Sequence, residues 1–190
     1  MGKVILDISV SLDGYAAGPD VCDRQPMGRG GEALHHWLFE GKTEADEKII
    51  AATFKNSGAV MVGGNTYHTA IHGVWGGTSP FPMHAFVITS TVPPEPVAGF
   101  TYVTNGFEEA LSLARVRAGE DNVWIMGGVE LAKSALKSGL LDEIHIHIVP
   151  ILLGDGLRLF NDVENPPIHL EIKQVVSSPA VTHLQMRMIK

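Results

Sequence analysis

The stretch Asn122-Val123-Trp124-Ile125-Met126-Gly127-Gly128-Val129-Glu130-Leu131-Ala132 decides the fold, because its hydrophobic period changes in the middle. Asn122 to Met126 is a short apolar run of the kind that forms a buried strand. Behind the glycine pair, Leu131, Ala132, Ala135 and Leu136 recur at helical spacing. Gly139 then stands at C′, where a left-handed residue ends a helix. A strand that runs through two glycines straight into a helix is half of a β–α–β unit, which implies parallel strands joined by right-handed crossovers.

The same alternation extends to both sides. Lys3 to Val10 reads as a buried first strand. Ser11 to Gly31 is long, polar and glycine-rich, and a loop of that length inside a compact domain is either functional or a plain insertion. Thr43 to Phe54 reads as a helix, with Thr43 as N-cap, Asp46 three residues on, and Ile50 and Phe54 one turn apart. Ala59 to Val62 is a strand ending in Gly63-Gly64-Asn65-Thr66 and a short helix near Tyr67 to Ile71. His84 to Ile88 is another, stopping at Thr89-Ser90-Thr91. A weak strand, Thr101 to Val103, leads to a helix with Asn105 as expected N-cap, Glu108 at N3, and Leu111 and Ala114 on its inner face. Glu143 to Val149, Ile168 to Val176 and Val181 to Ile189 read as strands, the last two joined by Ser177-Ser178-Pro179. The expected architecture is α/β: a three-layer αβα sandwich with a mainly parallel twisted sheet and antiparallel C-terminal strands, one domain over residues 1–190.

Composition narrows the function classes. Of 190 residues, 45% are hydrophobic and 18% charged, enough apolar content for a core and too little charge for a disordered chain. A net charge of −7 with only 14 Lys and Arg argues against a nucleic-acid surface. The single Cys22 excludes an internal disulfide framework and a zinc ribbon, and it suits a reducing cytoplasm. Asp7 interrupts the first apolar run too early for a signal peptide, and no apolar stretch approaches a spanning length. The expected partner is a small molecule, with no nucleic acid and no membrane.

In a parallel α/β sheet, ligands lie outside the carboxyl ends of the strands. Three strand ends here carry the small or hydroxyl residues that suit an anion: Gly63-Gly64-Asn65-Thr66, Thr89-Ser90-Thr91 and Gly127-Gly128. Glycines let backbone approach a phosphate, and a helix N-terminus adds free N–H groups and a favourable dipole. Neither pair completes a Rossmann fingerprint, and no Walker lysine follows.

Three blocks carry a family resemblance. They are Ser11-Leu12-Asp13-Gly14-Tyr15-Ala16-Ala17; Val60-Met61-Val62-Gly63-Gly64-Asn65-Thr66-Tyr67; and Val123 to Gly128 continuing through Gly139-Leu140-Leu141-Asp142-Glu143-Ile144 and Pro150-Ile151-Leu152-Leu153-Gly154-Asp155-Gly156 to Leu159-Phe160. Together they resemble the dihydrofolate-reductase-like superfamily, in a stand-alone form of the C-terminal reductase domain of bacterial riboflavin-biosynthesis deaminase-reductases. The resemblance implies an NADP-dependent oxidoreductase that transfers hydride from NADPH to a small heterocycle, with NADH not excluded. The nearest activity is that of a 5-amino-6-(5-phosphoribosylamino)uracil reductase. Alternatives are a dihydrofolate or pteridine reductase and a non-catalytic nucleotide-binding descendant.

The resemblance also assigns residues. Gly127, Gly128, Val129, Glu130 and Leu131 match the pyrophosphate loop and helix start, Gly63 and Gly64 the second glycine loop, and Thr66 the hydroxyl beside the pyrophosphate. Thr89 and Ser90 match the loop at the adenosine ribose, and Ala17 the residue near the nicotinamide. Asp13 matches the family's acidic loop residue, and Gly154 and Asp155 the loop beside the substrate. Glu32 and Trp37 are the nearest equivalents of a catalytic acid and aromatic. Gly64 stands where the family commonly has an arginine that holds cofactor phosphate, and the region before the second strand offers Lys55 but no arginine.

Several residues support two readings. Asp13 either caps its own turn or contacts substrate and relays a proton. Trp37 either lids the substrate or fills the core. His68 and His72, and His145 and His147, pair on one face each, but no acidic or cysteine partner follows at a metal-site spacing, so no metal is expected. A homodimer is expected through the last third of the chain. There Ile144, Ile146 and Ile148 face one way, and His145, His147 and Val149 the other, as a surface for a symmetric copy or for cover by the same chain.

Overall fold

The computed structural model describes residues 2–161 and 167–189. In chain order the elements begin with β1 (Val4–Ser11), β2 (Tyr15–Ala17), a 3-10 turn (Gly31–His35), α1 (His36–Phe39) and α2 (Glu44–Asn56). Next come β3 (Ser57–Gly63), α3 (Gly64–Ile71), β4 (His84–Ile88), β5 (Phe100–Val103) and α4 (Phe107–Ala118). The chain continues with β6 (Asn122–Gly127), α5 (Val129–Lys137), β7 (Glu143–Val149) and the two-residue β8 (Leu157–Arg158), and closes with β9 (Leu170–Ser177) and β10 (Thr182–Met188). Eight strands form a sheet in the order β5-β4-β3-β6-β1-β7-β10-β9, and β2 pairs separately with β8. The pairs β5–β4, β4–β3, β3–β6 and β6–β1 are parallel, whereas β10 is antiparallel to both β7 and β9. The expected α/β class, mainly parallel with antiparallel C-terminal strands, is the observed one.

The chain groups into two compact units: residues 1–6 with 52–141, and residues 7–51 with 142–190. In the first, Ala59, Val60, Met61 and Val62 are fully buried, so β3 is covered on both faces. Val60, Val62, Ala85 and Val87 pack with Tyr67 and Ile71 of α3, Phe100 and Trp124. Alternation sends Ala59, Met61 and Phe86 to the opposite side, and α4 packs on these strands with Ala110, Leu111 and Ala114 buried. Asn105 does not cap α4. The N-cap is Gly106, at φ 96° and without a side-chain bond, so Glu108 and Glu109 support the first turn by charge.

In the second unit the segment from Ser11 to Gly31 is built rather than loose. It contains β2, a bridge between Cys22 and Gln25, and backbone bonds from Gly18 N to Met27 O (2.8 Å) and Arg29 N to Pro19 O (2.8 Å). Thr43 and Asp46 form the expected box at the start of α2: Thr43 N and Oγ1 both donate to Asp46 Oδ2 at 2.8 Å. The histidine face of β7 is not a surface for a second copy. His145, His147 and Val149 are all buried within the chain, and Trp37 and His183 lie against the His147 ring. Period-2 alternation assigns faces to a strand, and it is silent on what covers each face.

Candidate active site

The three strand-end loops of the first unit meet. A Cβ built on Gly63 would lie 3.4 Å from Gly128 N, and one on Gly128 would lie 3.2 Å from Thr66 Oγ1. A Cβ on Gly64 would come within 2.9 Å of Ile88 O and 3.1 Å of Thr89 Cβ. Gly63 and Gly128 are the N-caps of α3 and α5, and neither helix has a side-chain bond at its cap. Two helix starts therefore stand side by side with glycine between them and the Thr66 hydroxyl at the rim. That arrangement suits an anion with several oxygens, such as a pyrophosphate, and any Cβ on the glycines would narrow the gap. A cis peptide joins Gly127 to Gly128.

Around this cradle the other assigned residues take distinct places. Leu131 is buried, so only its backbone is offered, and the exposed Glu130 pairs with Lys133 at 2.9 Å. Thr89 Oγ1 donates to Thr91 O (3.0 Å), a local turn that leaves Ser90 exposed at its apex. His68 and His72 are exposed, and among the described residues no group of three or more His, Cys, Asp or Glu is set to hold a metal.

In the second unit Asp13 clamps two loops together. Its Oδ1 accepts from Ser11 Oγ (2.6 Å) and Leu153 N (3.1 Å), and its Oδ2 from Gly154 N (2.7 Å). The Ser11 hydroxyl and these backbone N–H groups, outweighing partial burial, bring the carboxyl down to about 2. Tyr15 OH donates to Gly154 O (3.2 Å), while Arg158 lies over the Tyr15 ring and donates to Asp13 O (3.2 Å). Gly156, at φ 133°, packs so closely that a Cβ would fall 2.1 Å from Ala17 O. Asp155 is exposed and accepts from Gly156 N at 2.8 Å. The resemblance assigns Ala17 to the nicotinamide and Asp13, Gly154 and Asp155 to the substrate side; it does not reveal Tyr15 and Arg158, which support the Asp13–Gly154 contact.

Trp37 is a core residue. It is 3% exposed, its Nε1 donates to Ser9 Oγ (3.2 Å), and its ring sits 4.9 Å from both His147 and His183. A lid role would require it to leave that packing. Glu32 is exposed in the 3-10 turn, so the structure does not join it to Trp37 or Asp13 in one cluster of contacts. The sequence also missed the buried run Asp7, His147, His183 and Asp46, whose one visible signal was a charged Asp7 inside an apolar strand.

Glycine-lined loops at the carboxyl ends of a mainly parallel sheet define an open-sheet α/β protein of the ligand-binding kind. The chain belongs to the RibD C-terminal domain family, whose family model matches residues 2–184. It is 28% identical over 167 residues to the uncharacterized protein YwjB of Bacillus subtilis, covering 86% of this chain and 85% of that one. A solved protein ascribed to riboflavin biosynthesis, from Shewanella sp. PV-4, superposes with a TM-score of 0.76 at 21% identity over 100% of both chains. The deaminase and 5-amino-6-(5-phosphoribosylamino)uracil reductase of Thermotoga maritima matches at a TM-score of 0.66 and 16% identity, over 99% of this chain and 57% of that one. At these identities the two structures speak for the fold.

Proposed function

We propose that this chain is an NADP-dependent reductase of a small heterocyclic substrate, related in chemistry to the pyrimidine reductase step of riboflavin biosynthesis. The observation that carries this reading is the cradle of Gly63, Gly128 and Thr66 between two uncapped helix starts. NADPH, when bound, supplies the hydride. The chain's own residues divide the remaining work. Backbone N–H groups from Gly128 to Leu131 and the Thr66 hydroxyl hold the pyrophosphate, while Thr89 and Ser90 face the adenosine ribose. Ala17 is assigned to the nicotinamide, and Gly154 and Asp155 to the substrate. Asp13 acts chiefly by fixing the Gly154 loop, because its carboxylate oxygens already accept three hydrogen bonds. The enzyme works in the cytoplasm, where its one exposed cysteine, Cys22, stays reduced.

The test is fluorescence titration of purified protein with NADPH and NADH, followed by cofactor oxidation over pyrimidine and pteridine acceptors. Binding with turnover of one class supports the proposal and names the substrate. Binding without turnover of any acceptor favours the second reading, a non-catalytic nucleotide-binding protein, which the absence of a cation at Gly64 supports. No binding of either nucleotide removes both readings.

A second copy of the chain would pair at the β9 edge of the sheet. Leu170, Ile172 and Val175 pair with Met188, Met186 and Leu184, and the bulge between Gln185 and Met186 keeps all six on one face. Ile172 is 63% exposed, leaving an apolar face that a second copy would cover. Light scattering should give twice 20.4 kDa, falling to the single mass in Ile172→Glu. A wild-type mass of 20.4 kDa refutes the dimer.

A further inference from the structure

Six titratable side chains in the second unit form one buried run, each at most 9% exposed. Asp46 Oδ1 lies 2.9 Å from His183 Nε2, His183 Nδ1 lies 2.7 Å from His147 Nδ1, and His147 Nε2 lies 3.0 Å from Asp7 Oδ1. Beyond Asp7, His145 Nδ1 stands 3.6 Å from Asp7 Oδ2, and its Nε2 is 3.2 Å from Glu143 Oε2. The Trp37 indole packs against both central rings and is held by Ser9. No step of the proposed reductase chemistry uses this run.

Hydrogen-bond counting fixes its protons. A carboxylate can only accept, so each Nε2 facing Asp7 or Asp46 must carry a hydrogen. Both acids are ionised. Against burial, His147 and His145 hold Asp7 well below the usual carboxylate range, and His183 and Thr43 bring Asp46 to about 2. A neutral imidazole has one N–H, so two neutral rings would aim bare Nδ1 lone pairs at each other across 2.7 Å. Such a contact is repulsive in a low-dielectric interior, and a proton between the atoms makes it a short charge-assisted bond. Two rings then hold three protons, giving one positive charge between two carboxylates.

We propose that His147 and His183 form a buried proton-binding site, in which one proton shared by their Nδ1 atoms ties the start of α2 to β10 and β7. Burial first, with repulsion from His147, pushes the neighbouring His35 down to about 4, so His35 does not compete for that proton. Burial, with the same repulsion, outweighs Asp46 and holds His183 below its ordinary range, so a second charge on the pair is opposed. Asp46 is at once the anchor of His183 and the partner of the Thr43 cap, so losing the shared proton loosens both the first turn of α2 and the seat of Trp37. The site thus makes the packing of the segment from the 3-10 turn to α2 depend on retention of that proton.

The experiment is long-range proton–nitrogen NMR on histidine-labelled protein, with amide exchange of the α2 first turn, from about pH 6 to 10. The expected result is two protonated Nε2 atoms and one far-downfield, solvent-protected proton shared by the two Nδ1 atoms. Corrected for intrinsic exchange, the α2 opening constant should rise with pH, by at most about tenfold per unit, where the closed state keeps that proton and the opened state does not, and level off once the closed state loses it. His183→Gln should abolish this dependence, whereas His145→Gln should keep it. Should His183→Gln fail to fold, the wild-type spectra still decide. Two neutral rings throughout, or a stoichiometric metal bound at the two Nδ1 atoms in place of the proton, would overturn the proposal.

Discussion

Placing an arginine at Gly64 should damage this protein rather than improve it. Gly64 opens α3 and has no positive φ, so its backbone would accept any L-residue. Space is the obstacle. An added Cβ would lie 2.9 Å from Ile88 O, 3.1 Å from Thr89 Cβ and 3.2 Å from Thr89 Oγ1. The tightest of these is about half an ångström inside ordinary van der Waals contact, and its partner is backbone at the end of β4. Relief therefore requires α3 or the Thr89 loop to move as a piece. Overpacking of that kind costs about 1–3 kcal/mol. In a chain of this length each kcal/mol shifts Tm by about 2–4 °C.

Two variants separate shape from charge. Gly64→Ala carries the steric cost alone and should lower Tm by about 2–12 °C. It should also weaken both nucleotides, because the same shift opens the cradle at Gly63 and Gly128. Gly64→Arg should melt no higher than the alanine variant, but it should raise the preference for NADPH over NADH relative to that variant by charge attraction to the extra phosphate. Differential scanning fluorimetry and paired fluorescence titrations read both effects. A Gly64→Ala protein with wild-type Tm and affinity would refute the claim that α3 and β4 approach too closely for a side chain.

Gly128→Val places its branch beside Thr66 Oγ1, where even the Cβ is at 3.2 Å, and should cut NADPH affinity at least tenfold in the titration while circular dichroism shows a folded chain. Asp13→Asn should lower turnover more than cofactor affinity, since it replaces an acceptor with a donor beside Leu153 or Gly154; equal kcat in steady-state assays would remove Asp13 from the working site. His35 is held to about 4 in the folded chain against about 6.5 when unfolded, so the unfolded state binds more protons between these values. Its contribution to stability is therefore full above the upper value and declines as pH falls toward the lower one. Urea midpoints of His35→Gln should show a shallower acid loss than wild type over that window, and parallel curves would count against the burial of His35.

The strand-and-helix plan was legible because most of it is local. Apolar runs ending in glycines, the Thr43–Asp46 box and the C′ position of Gly139 each report on a few neighbouring residues. Convergence of the three anion-suited loops was legible too, since parallel strands must end on the same edge of a sheet. What escaped depends on pairs far apart in sequence. Asp7 meets His147 across 140 positions and Asp46 meets His183 across 137, and neither separation leaves a spacing to read. Trp37 illustrates the same limit: an aromatic with one polar atom suits a lid or a core equally well until Ser9 is known to accept from it.

The two units use ionisable residues in opposite ways, and this bears on where function can change. In the first, Ala59 to Val62, Ala85 to Val87 and Val123 to Ile125 are apolar and buried, so a polar replacement there leaves an unpaired group and costs folding before it alters chemistry. Adaptable positions are confined to the strand ends, such as Gly64 and the exposed Ser90. In the second unit the interior itself holds Asp7, Asp46, Glu143, His145, His147 and His183, each balanced by its neighbours. Removing one member strands another without its partner, so these positions can change only together. Single substitutions should thus retune the nucleotide loops readily, whereas the histidine run should tolerate paired replacements, such as His147 with His183, better than either alone. A double-mutant cycle on those two histidines tests this directly, and additive losses in unfolding free energy would show that the pair is not one unit.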